Sequence, residues 1–186
     1  MVERALKAMF CAVFVLGAGL CGCGFFRSQR VAASAPALSI QYGRILEKEV
    51  WLAGGKIGIV PFRPGDNVED YERSRHAALM MVKGLAETVT AVSNKFKMVY
   101  ADKSAEADFV INGHITDFAK NTWWQRWGLR PVEIRIRVEG DMTDRRTGEK
   151  VLLFAEQKTF REKGMSEDDV TYIIGENIGR FIAKGR

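Results

Sequence analysis

Val132-Glu-Ile-Arg-Ile-Arg-Val-Glu139 decides the reading of the fold. Val132, Ile134, Ile136 and Val138 alternate with Glu133, Arg135, Arg137 and Glu139, the period of two that a half-buried strand imposes. One face belongs to a core and the other carries four charges in line. The pattern runs to Thr143. Asp144-Arg-Arg-Thr-Gly148 then supplies turn chemistry, with Gly148 free to take a positive φ. Glu149 to Phe160 returns as the hairpin partner, and Ala107 to Phe118 upstream reads as a strand of similar length.

Outward from this block the signals change. Lys56-Ile-Gly-Ile-Val-Pro-Phe62 is a short apolar run closed by Pro61 and Gly65, which reads as a buried strand. Between Tyr71 and Val92, residues Ala78, Met81, Val82, Leu85, Val89 and Val92 share one helical face. Phe96 to Tyr100 is another short strand. Ser166-Glu-Asp-Asp169 opens a last helix with acids in its first turn, and Val170, Ile173, Ile174, Ile178 and Phe181 form its apolar stripe. A β-α-β start followed by three long consecutive strands and a helix predicts an α+β two-layer sandwich. The expected sheet is mixed or antiparallel, of about five strands, with two main helices.

Of the 186 residues 47% are hydrophobic and 27% charged, which excludes a wholly disordered chain. The net charge is only +5, and the basic residues alternate with acids instead of clustering, so no nucleic-acid partner is expected.

The amino terminus reads as an address. Arg4 and Lys7 precede an uncharged run of 13 residues, Ala8 to Leu20, as in a secretory signal. A membrane span needs about 20 apolar residues, so the run is too short for one. Leu20-Cys-Gly-Cys23 ends it. Leu at −3, a small residue at −1 and Cys at +1 resemble the lipobox of bacterial lipoproteins. The resemblance implies cleavage before Cys23 and acylation of Cys23. Each buried CH₂ of an acyl chain is worth about 0.8 kcal/mol, so several chains anchor durably. Gly24 resembles the outer-membrane default, which implies an outer-membrane, periplasm-facing lipoprotein. Cys11 and Cys21 leave with the signal, so the mature chain keeps no free thiol for a disulfide, a metal or a nucleophile. The expected organisation is a signal peptide over 1–22, a lipidated tether over 23–37 and a single periplasmic domain over 38–186. A flexible tether of some 13 residues reaches about 20 Å, so the domain sits close to its membrane.

Three segments resemble one family. Ile57-Gly-Ile-Val-Pro-Phe62, Ala107-Asp-Phe-Val-Ile-Asn-Gly-His-Ile-Thr-Asp-Phe118 and Val138-Glu-Gly-Asp-Met-Thr-Asp-Arg-Arg-Thr-Gly-Glu149 are similar to the CsgG/LpoB group of lipoproteins and the related TolB amino-terminal domain. The motifs mark strands and a turn and carry no catalytic residues. The resemblance implies a periplasmic lipoprotein that docks onto envelope machinery. Two family devices are missing. Ala119 to Pro131, about 13 residues, is too short for a membrane-inserted hairpin, one strand of which takes about 9–11 residues. The tether is too short to cross the peptidoglycan.

Few residues advertise a site. Trp123-Trp-Gln-Arg-Trp127 packs three of the four tryptophans into five residues. Trp and Arg are enriched at binding hot spots, and Trp also favours lipid headgroups. Trp123, Trp124, Arg126 and Trp127 are therefore candidate partner-binding residues, with indoles folded onto the sheet or set at the headgroups as the alternatives. Arg135 and Arg137 are candidates on the polar strand face. His76, in the first helix, and His114, in a strand expected to be partly buried, give no metal-ligand spacing. The chain has no G-x-x-x-x-G-K-[ST], H-E-x-x-H or G-x-S-x-G. The expectation is a protein without catalytic residues, cofactor or metal, acting on unidentified envelope proteins by protein–protein contact. The alternative is an oligomeric structural subunit of a secretion, transport or flagellar assembly.

Overall fold

The computed structural model describes residues 40–65, 68, 71–99, 106–120, 133–161 and 166–185. All belong to the unit Leu38–Arg186. The signal segment, Cys23, the tether and Trp123, Trp124, Arg126 and Trp127 lie outside the described residues.

The elements run β1 (Tyr42–Ile45), α1 (Lys48–Ala53), β2 (Gly55–Ile59), β3 (Arg63–Pro64), α2 (Tyr71–Val92), β4 (Phe96–Val99), β5 (Phe109–Lys120), β6 (Glu133–Asp144), β7 (Lys150–Arg161) and α3 (Glu167–Lys184). The strands form one mixed sheet in the order β1-β7-β6-β5-β2-β4, with β3 also paired to β5. The long strands β5, β6 and β7 are antiparallel, while β2 lies parallel to both β4 and β5. The architecture is the expected α+β arrangement. Among the described residues it holds seven strands and three helices, where about five strands and two main helices were expected.

The extra elements explain themselves. β1 and α1 are too short to show a period. β3 arises because the predicted Lys56–Phe62 strand is broken. Pro61 has no N–H for a ladder, and the Phe62 ring tucks beneath Gly113, where any Cβ would overlap it. Pairing with β5 stops at Ile59 and resumes at Arg63.

The core lies between the sheet and the helix layer. Ile134, Ile136, Val138 and Met142 of β6 are buried, as are Ala78, Met81, Leu85 and Val89 of α2 and Val170, Ile174, Ile178 and Phe181 of α3. α3 starts with a full capping box: Ser166 Oγ accepts from the Asp169 N–H, and the Asp169 carboxylate accepts from the Ser166 N–H. The β6–β7 turn uses Asp144 as its cap, its Oδ1 accepting the Arg146 N–H at 2.7 Å, with Gly148 at φ 75°. Trp51 of α1 donates its indole N–H to the Ile182 carbonyl at 2.8 Å, joining α1 to α3. No helix among the described residues is long and apolar enough to cross a membrane.

Candidate binding face

Alternation that buries Ile134, Ile136 and Val138 must turn Glu133, Arg135, Arg137 and Glu139 to the other side of the sheet. Among the described residues that side has no covering layer. Arg135 and Arg137 stand there in neighbouring rows, as the sequence predicts.

Several charges of this face are paired among themselves. Arg135 Nε donates to Asp117 Oδ2 of β5 at 2.6 Å. Arg137 meets Glu139 at 2.6 Å on the same strand. Lys150 of β7 lies 3.3 Å from Asp141, whose other oxygen accepts the Thr143 hydroxyl at 2.7 Å. A bulge between Ile115 and Asp117 shifts the β5–β6 register and brings Asp117 opposite Arg137. The Arg137–Glu139 and Lys150–Asp141 pairs line an open groove of about 790 Å³, together with Tyr42, His114 and Gln157 among others. Tyr42 is half exposed at its β1 edge. At the bulge, Thr116 Oγ1 is buried with no hydrogen-bond partner among the described residues.

The histidines are on opposite layers. His114 is exposed on the open face of a strand that is partly buried, as expected, because the period of two puts it beside Asn112 and away from Ile115. His76 sits on the helix layer, 3.0 Å from Asp168. Beside it Arg73 pairs with Glu167 through two donors, tying the amino-terminal turns of α2 and α3. Further along, Tyr172 donates to Glu87 at 2.6 Å, and that bond pushes the phenol up to about 12. No group of three or more His, Cys, Asp or Glu capable of holding a metal occurs among the described residues.

Sequence reasoning missed two features. Lys95 lies over the Trp51 indole, 2.7 Å from the ring centre, and burial pulls its ammonium down to about 8. Glu156 is buried under α3 beside Asn177. Strand period alone could have found the second, since it places Glu156 and Lys158 on the same face as Leu152 and Phe154.

No protein-family model matches the chain, and no curated protein matches it. Solved structures do. The PelC dodecamer from Paraburkholderia phytofirmans is similar with a TM-score of 0.53, at 15% identity, over 76% of this chain and 92% of that one. A single-substitution variant of the same dodecamer gives 0.51 at 16% identity, over 77% and 96%. Lipoprotein GNA1162 from Neisseria meningitidis gives 0.45 at 10% identity, over 69% and 97%. The chain thus shares the fold of the PelC subunit.

Proposed function

We propose that this is a lipid-anchored accessory protein of the bacterial envelope, outer-membrane and periplasm-facing, which works by protein–protein contact and not by catalysis. The sheet face that no described residue covers carries the reading. Its arginines are already neutralised by Asp117 and Glu139, so covering the face buries ion pairs and not lone charges. An uncompensated buried charge is the costly case. Arg and Tyr on a central patch are also the residue types that protein interfaces favour. The lipobox-like Leu20 to Cys23 and the motifs similar to the CsgG/LpoB group support an anchored, docking protein.

One observation favours a second reading, an oligomeric structural subunit of a secretion, transport or flagellar assembly. The fold is shared with a protein that forms a dodecamer. A cyclic ring of identical subunits closes through heterologous contacts, where one surface of each copy meets a different surface of the next. The open sheet face offers one such surface.

Light scattering on the full-length chain extracted in mild detergent separates the two. A discrete multiple of the mature protomer's mass supports the ring. A protomer that co-purifies with a distinct envelope protein supports the accessory role. A protomer that co-purifies with nothing contradicts both.

A further inference from the structure

Glu156 is 1% exposed, the least exposed acidic side chain among the described residues. It stands on the core face of β7, opposite Val138 of β6. A carboxylate so enclosed needs donors, and it has three. Asn177 Nδ2 of α3 donates to Oε1 at 2.9 Å, and Lys158 Nζ lies 3.2 Å from the same oxygen. The third is main chain: the Gln41 N–H donates to Oε2 at 2.6 Å.

That third bond falls where the chain enters the described domain. β1 and β7 pair from Tyr42↔Ala155 to Ile45↔Leu152, and the same register sets Gln41 opposite Glu156. There the ladder ends, and a buried side chain takes the next amide. One residue earlier, Ile40 packs against the core. Three of the four β1 residues are exposed, so apart from its ladder to β7 the strand is held by Ile45 against the core and by Gly43 on the Phe181 ring. At its far end the Leu46 and Glu47 amides share the Val151 carbonyl.

We propose that Glu156 is a latch for the root of the amino-terminal segment. Its carboxylate clamps the Gln41 amide, keeps β1 on the edge of β7 and so fixes where the segment joins the domain. Asn177 and Lys158 orient the carboxylate for that bond. With the latch removed, β1 lifts away and the β7 edge from Leu152 to Ala155 is uncovered. A bare edge of that kind is a template for pairing with another strand. The latch concerns described residues only and stands whether or not the chain is lipid-anchored.

Hydrogen exchange read by mass spectrometry on the full-length chain in detergent tests this. Glu156→Ala should speed exchange in the Gln41–Ile45 peptide at least tenfold while β6 and α3 keep their rates. Glu156→Gln, which retains one acceptor oxygen, should fall between. Gln41→Pro removes the donor and leaves Glu156, Asn177 and Lys158 in place, and it should reproduce the local effect. If Glu156→Ala does not fold, Gln41→Pro decides by the same criteria. Wild-type exchange over Gln41–Ile45 in both variants would overturn the latch. So would acceleration spread equally through β6 and α3, the mark of a general loss of stability.

Discussion

Gly175 of α3 lies directly against the backbone carbonyl oxygen of Met81 of α2, so that a Cβ at 175 would overlap that oxygen. Gly84 meets the Tyr172 carbonyl in the same way, and a Cβ at Gly179 would lie 2.9 Å from the Leu85 carbonyl oxygen. Along this seam the two helices are in backbone contact. Gly175→Ala should therefore destabilise, although Ala gains up to about 1 kcal/mol over Gly in a helix. Overpacking costs about 1–3 kcal/mol, and here the obstacle is backbone, which cannot rotate away. The melting midpoint followed by circular dichroism should fall by several degrees. An unchanged or raised midpoint would mean that the helices separate freely.

Lys95 predicts a pH dependence. Burial lowers its ammonium to about 8 from an ordinary 10.5. The Trp51 face beneath it favours the charged form, so the two effects oppose, and burial is expected to dominate. Between about pH 8 and 10.5 the unfolded chain then binds the extra proton, and the contribution of Lys95 to stability rises with pH. Relative to wild type, Lys95→Met should be more stable at pH 7 than at pH 10. Urea melts of both proteins at the two pH values measure the difference, and a gap independent of pH would show that the indole cancels the burial.

The open face should be dispensable for folding and needed for association. Arg135 and its partner Asp117 are partly solvated, and such pairs contribute about 0–1 kcal/mol. Arg135→Ala combined with Arg137→Ala should leave the urea midpoint nearly unchanged. The same double variant should weaken self-association or partner recovery about tenfold or more, as loss of interface arginines does. Undiminished association would move the contact surface elsewhere.

Much of this fold was legible because its longest elements obey a strict period. Ile134, Ile136 and Val138 announce β6, and Ser166 with Asp169 announces the start of α3. Tyr42–Ile45 could not announce itself, since only Ile45 is even partly buried and edge pairing is decided by β7 and not by local pattern. Lys48–Ala53 is under two turns long and is held by Trp51, a tertiary bond that no propensity reports. Pro61 was in plain view, but that the strand resumes at Arg63 depends on the Phe62 ring finding room at Gly113. At the site, Arg135 and Arg137 followed from alternation. The groove needed Tyr42 from an unread strand and a bulge that spacing does not show.

Membrane attachment tests the amino-terminal reading independently of the domain. Cys23→Ser should move the protein from the membrane fraction to the soluble periplasmic fraction, and mass spectrometry of the wild-type amino-terminal peptide should find acyl chains on Cys23. If the variant stays bound through its uncleaved signal, the acyl-chain mass decides, and a wild-type peptide without acyl chains would contradict the reading.

The central claim is that the open sheet face is where this protein meets another. A photo-crosslinking amino acid at Arg137, introduced in living cells, reads it most directly. Adducts to a distinct envelope protein or to a second copy of this chain are the predicted result. A folded, membrane-bound protein that forms no adduct from position 137, or from 135 tested in parallel, would contradict the account.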